Sequence, residues 1–194
     1  HILWIQGAVL SIASPPTGDV HLVDVSDPAA PVELGRVSAN VSGAHDMHVR
    51  GDLLFGAYLG GELTVADISN PAAPAVLSRI QYPGAFTHSA WLSDDGRHLF
   101  VADEIVNAPI RIYDVSNPSA PVLAAIYQPR LGTIPHNIQV RDGRFAYIAH
   151  YKNGVEVLDV SDATRPRLIG FYDTHPGVAS DGVVTSSALA PAHE

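Results

Sequence analysis

Four histidines in this sequence stand at one recurring position. His1 begins HILWIQGAVLSIAS, His45 begins HDMHVRGDLLFGAY, His88 begins HSAWLSDDGRHLFVAD and His136 begins HNIQVRDGRFAYIAH, at intervals of 44, 43 and 48 residues. Imidazole is a ligand for zinc, copper, iron and nickel. Histidines that a fold gathers toward one axis are therefore candidate metal ligands, with copper or zinc as the expected ion. His150 and the acidic pair Asp103-Glu104 close apolar segments, and they are candidates for further ligand contacts or for groups that orient the imidazoles. A structural reading stands beside this one: each histidine bonds a loop carbonyl and fixes the start of a strand. Arg50-Gly51-Asp52 spells an adhesion triplet but falls where a tight turn is expected, and His48 and Trp91 alternate with apolar neighbours as packing residues do. No nucleophile elbow, phosphate-binding loop, zinc-protease helix or dinucleotide fingerprint is present.

The elements that must position these residues repeat as well. VHLVDVSDPAAPVEL from Val20 is echoed by ELTVADISNPAAPAVL from Glu62, IRIYDVSNPSAPVL from Ile110 and VEVLDVSDATRPRLI from Val155. Their shared aspartates, Asp24, Asp67, Asp114 and Asp159, recur at 43, 47 and 45 residues. Periods in the forties mark radial or stacked repeats. Each unit reads as two short strands around a Gly-containing turn, a third strand ending in the aspartate, a Ser-Asx-Pro turn and a fourth strand. That is one blade of a β-propeller, so the predicted fold is all-β, with four-stranded antiparallel blades. The blades fall at about 1–34, 45–80, 88–126 and 136–171, giving four blades over 1–172, with 173–194 as a tail or an insertion before a further blade. In a propeller the first strand of each blade lines the central channel, which brings the four histidines toward the channel mouth. The repeated aspartates are read as structural, accepting turn N–H groups before proline fixes φ. In the fourth repeat Asp162-Ala163-Thr164-Arg165-Pro166 lacks the first proline, and a looser turn is expected there. No strand at one end completes a blade at the other. A closed four-bladed ring is one alternative; the expectation preferred is that the array belongs to a larger ring, completed by further blades or by a second chain in a homo-oligomer.

Composition narrows the partners. A net charge of −9 with only 11 Lys plus Arg leaves no electrostatic footprint for nucleic acid. With no cysteine, thiol chemistry and disulfides are excluded. No apolar run approaches the ~20 residues of a membrane-spanning helix, so no transmembrane segment is predicted. The apolar start is read as a strand pair rather than a signal peptide.

Leu22-Val23-Asp24-Val25-Ser26-Asp27-Pro28 and its three counterparts resemble the LVIVD repeat, over nearly the whole chain. The resemblance implies a β-propeller that is extracellular, periplasmic or attached to the cell surface, and no common reaction. Thr133-Ile134-Pro135-His136-Asn137-Ile138-Gln139 is similar to the Pro-His segments of the metal-dependent selenium-binding (methanethiol oxidase) propellers. Three functions are open at this stage. The first is a binding or scaffold module whose top-face loops and channel mouth engage a protein, a glycan or a small ligand. The second is a metal-dependent, oxidase-like enzyme with a histidine-lined axial site. The third is a structural module of a larger surface assembly.

Overall fold

Short stretches of alternating polar and apolar residues, each closed by a glycine or Ser-Asx-Pro turn, are too brief for helices and suit half-buried strands. The computed structural model describes residues 2–14 and 16–174, and among them there are sixteen strands and no α-helix. The first sheet holds β1 (Leu3–Gln6), β2 (Val9–Ser14), β3 (Asp19–Asp24) and β4 (Val32–Ser38). The second holds β5 (Ala44–Arg50), β6 (Leu53–Tyr58), β7 (Glu62–Asp67) and β8 (Ala75–Gln81). The third holds β9 (Thr87–Leu92), β10 (His98–Asp103), β11 (Ile110–Asp114) and β12 (Val122–Tyr127). The fourth holds β13 (Ile138–Arg141), β14 (Phe145–His150), β15 (Gly154–Asp159) and β16 (Arg167–Tyr172). Each sheet is an antiparallel meander in chain order, the blade of a β-propeller. The fourth strands run one to four residues past the ends expected from the repeat. The proposed tail begins at Asp173; all of it beyond Thr174 lies outside the described residues, as does His1.

Two local devices recur in every blade. The first is a pair of Asx turns. The N–H of Ser26, Ser69, Ser116 and Ser161 donates to Oδ1 of Asp24, Asp67, Asp114 and Asp159 at 2.8, 2.8, 2.8 and 3.0 Å. Three residues on, Asp27, Asn70, Asn117 and Asp162 each accept the N–H two residues ahead of them. The fourth turn is not loosened by its missing proline. Thr164 donates both its N–H (3.0 Å) and its hydroxyl (2.6 Å) to Asp162, so the carboxylate holds the turn without the ring. The second device is a one-residue shift in register between the third and fourth strands of each sheet, which leaves Leu34, Leu77, Ala124 and Ile169 without a pairing partner. A bulge at this place twists the outermost strand and interrupts the edge that could template pairing with another chain.

Tertiary contacts divide the chain into two compact units. Unit 1 comprises the described residues of His1–Ala90 with Asn117–Pro121, and unit 2 those of Trp91–Ser116 and Val122–Glu194. Within unit 1 the first and second sheets bury a shared core that includes Ala13, Val20, Leu22, Met47, Val49 and Leu54. Within unit 2 the third and fourth sheets do the same through Phe100, Ile110, Ile112, Ile138, Val140 and Ile148. A sheet of four short strands gains its stability from such face-to-face burial, at roughly 25 cal/mol per Å² of apolar surface.

Candidate functional site

Among the described residues, the histidine positions fall at or just before the first strands of their blades, and each unit places its own. In unit 1, His45 lies on β5 and His88 on β9. Their rings are 4.1 Å apart between centroids and tilted by 43°. His45 Nδ1 lies 3.2 Å from the backbone carbonyl oxygen of His88. A carbonyl oxygen only accepts, so Nδ1 carries the proton, and in the neutral ring the lone pair is fixed on Nε2. His45 is half-buried and His88 is buried. Next to His45, Asp46 is almost fully buried. Burial pushes its pKa up to about 6, against hydrogen bonds from Ser89 and from the N–H groups of Met47 (2.8 Å) and Ala90 (3.4 Å).

In unit 2, His136 is held just before β13 by a backbone hydrogen bond to the Ala149 carbonyl at 2.9 Å. Its Nε2 lies 4.0 Å from Glu104 Oε1, and its ring meets Tyr151 edge-on with centroids 5.0 Å apart. Burial raises the pKa of the Glu104 carboxyl. Tyr151 has φ of 31°, a left-handed conformation that costs energy for a bulky residue. The structure thus groups His45 with His88, and His136 with Glu104.

The remaining candidates are engaged in the scaffold. Asp103, buried at the end of β10, accepts from Arg111 Nη1 at 2.7 Å. His150, wholly buried at the end of β14, has Nε2 3.7 Å from the Glu156 carboxylate. Burial lowers its pKa to about 4, which keeps the ring neutral beside that acid. Gly51, in the Arg-Gly-Asp triplet, is a hairpin corner at φ 56°, clamped by the Gln6 amide, which takes its N–H at 3.1 Å and donates to its carbonyl at 2.9 Å. His48 is buried, with the Trp4 ring 4.6 Å away, and Trp91 packs on the core of unit 2.

Two buried glutamates were not anticipated from the sequence. In unit 1 Glu62 accepts from Arg79 (2.5 Å), Gln81 (2.7 Å), Thr64 (3.0 Å) and the Asn40 N–H (3.2 Å). In unit 2 Glu156 accepts from Tyr127 (2.9 Å) and from both Nε (3.0 Å) and N–H (3.2 Å) of Arg130. Each ties the connection leaving one blade to the third strand of the next. The signal for Glu156 was present in VEVLD, where alternation puts it on the same face as the buried Leu158.

A sequence-family model described as the LVIVD repeat matches residues 16–39, 43–81, 89–128 and 136–174. No curated protein matches the chain. Among solved structures, a protein from Lactobacillus plantarum superposes with a TM-score of 0.75 at 18% identity, over 86% of this chain and 55% of that one. The computationally designed protein Ika8 superposes with a TM-score of 0.69 at 10% identity, over 89% of this chain and 48% of that one. At these identities the likeness is one of fold. The chain spans about half the length of either structure.

Proposed function

The chain belongs to the LVIVD-repeat family of β-propeller proteins, and from that premise we propose that it is a binding module, acting outside the cytoplasm or at the cell surface, whose ligand engages the histidine-bearing starts of the inner strands. The scaffold is held by the paired Asx turns, the bulges and the buried glutamates, and His45 and His136 take part in none of these. The observation that carries the reading is the pairing of two imidazoles, His45 and His88, with ring centroids 4.1 Å apart, the bond from His45 Nδ1 to the His88 carbonyl committing the His45 Nε2 to accepting. An imidazole held by its other nitrogen on a backbone carbonyl is the usual arrangement of a metal ligand. Zinc or copper is the ligand class these donors take, through His45 and His88 in unit 1 and through His136 and Glu104 in unit 2, with His1 a further candidate.

The test is elemental analysis of protein never exposed to chelator or nickel resin, followed by titration with Zn(II) and Cu(II). We expect bound metal that falls on His45→Ala and His136→Ala substitution, while the far-UV circular dichroism stays unchanged. Protein that is metal-free and binds neither ion would sink the reading. A second reading, a metal-dependent oxidase, is favoured by Glu104, whose raised pKa next to His136 suits a proton acceptor. Oxygen consumption with a small thiol by the metal-loaded protein, absent from the metal-free protein, would distinguish it from binding alone.

A further inference from the structure

Inside this chain the same interface is built twice. The face of the first sheet carrying Val20 and Leu22 receives the face of the second sheet carrying Met47 and Val49. The face of the third sheet carrying Ile110 and Ile112 receives the face of the fourth sheet carrying Ile138 and Val140. The repeat gives every blade one face of each kind, a leading face like that of Met47 and a trailing face like that of Leu22.

Among the described residues, two such faces are left uncovered. Leu3 and Ile5 stand on β1 where Met47 and Val49 stand on β5, yet they are 62% and 64% exposed whereas their counterparts are buried. On the fourth sheet, Tyr147 stands where Phe100 does and Tyr172 where Val37 does. They are 40% and 69% exposed where the counterparts are buried. The fourth strands carry an independent sign. In unit 1, a Cβ at Gly35 would stand 2.5 Å from the Pro71 carbonyl oxygen, and at the equivalent position Ser78 donates to the Pro118 carbonyl at 2.7 Å. Each is covered by the Ser-Asx-Pro turn of the following blade. Gly170 is the same position on β16, and a Cβ there would meet nothing within 4 Å.

We infer that a second copy of this chain covers both faces, its leading face on the first sheet packing against the trailing face on the fourth. One chain carries both halves of an interface whose chemistry it already uses, which is the requirement for a heterologous, head-to-tail contact. This chain covers only 55% and 48% of the similar structures, which extend well beyond it, and a second copy supplies further blades of the same kind. In the pair, the Asp27-Pro28 turn of one copy lies over Gly170 of the other.

Sedimentation velocity of the full chain over a range of concentrations tests this. We expect a species of twice 20.6 kDa. Ile5→Glu, Tyr172→Glu and Gly170→Trp should each weaken association by at least about tenfold, because each buries a charge or fills the space the turn must occupy. Their circular dichroism should match the parent, since these positions are exposed in the single chain. Mixing Ile5→Glu with Tyr172→Glu leaves one intact junction, and should restore more dimer than either variant forms alone. A 20.6 kDa species at every concentration overturns the proposal and leaves the faces to other polypeptide. So does a dimer indifferent to these substitutions, or one lost with Ile5→Glu but not with Tyr172→Glu or Gly170→Trp, which would be a symmetric contact between first sheets.

Discussion

Asp67 and Asp46 both lie on strands of the second sheet, and they titrate in opposite directions. Hydrogen bonds from Ser69 hold the half-buried Asp67 below the ordinary carboxylate range, and serines do the same for Asp24, Asp114 and Asp159. The stability these four contribute is present above about pH 4 and is lost as pH falls through their depressed values. Asp46 is raised to about 6, so the folded state holds its proton more tightly than the unfolded chain does. Its charge therefore lowers stability as pH rises from about 4 to about 6. Asp46→Asn should remove that downward slope, on the order of 3 kcal/mol, in denaturant titrations across this range. His150 slopes the other way. Its folded pKa of about 4 lies below the unfolded 6.5, so stability is lost as pH falls from 6.5 to 4, where the unfolded chain takes up the proton. His150→Leu, beside Glu156 and Arg130, should flatten that slope when measured the same way; an unchanged slope would show that the ring is not the group responsible.

Between strands, the same residue type meets different fates according to what covers it. Gly35→Ala must displace the Pro71 backbone, and we expect a loss of about 1–3 kcal/mol in unfolding free energy. Gly170→Ala, on the equivalent strand, meets no neighbour within 4 Å and should be near neutral in a single chain. If both cost the same, the difference in cover is not what matters. The buried glutamates make a second contrast. Arg130→Met would leave Glu156 buried without its charge partner, at a cost of roughly 3–5 kcal/mol, whereas Arg165→Met, whose partner Asp162 is exposed, should change stability by less than about 1 kcal/mol. Chemical denaturation of the two variants side by side separates the cases.

For the molecule as a whole, the uncovered leading and trailing faces tie stability to concentration. A partner that binds only the folded chain raises its apparent stability by mass action. The melting temperature should rise as protein concentration increases, and the Ile5→Glu variant should lose that dependence. A melting temperature independent of concentration in the parent would argue that each chain is stable without a second copy.

By itself the sequence determined the blades. The four Val-Asp-Val-Ser-type stretches specify strand, turn and strand within a few dozen residues, because alternation and Asx turns are local physics that needs no distant partner. It also determined the histidine register, since a repeat aligns equivalent positions whatever surrounds them. Tertiary structure alone decided what each position became. Met47 and Leu3 share one register position, yet one is core and the other lies open, because burial depends on the neighbouring sheet. Asp103 and Glu104 are adjacent, yet Arg111 on the next strand of the same blade takes the first while the second lies beside His136 of the following blade, a partner that only the packing of one blade on another supplies. Nor could the pattern assign the lone pair of His45, which was set by a carbonyl 43 residues away.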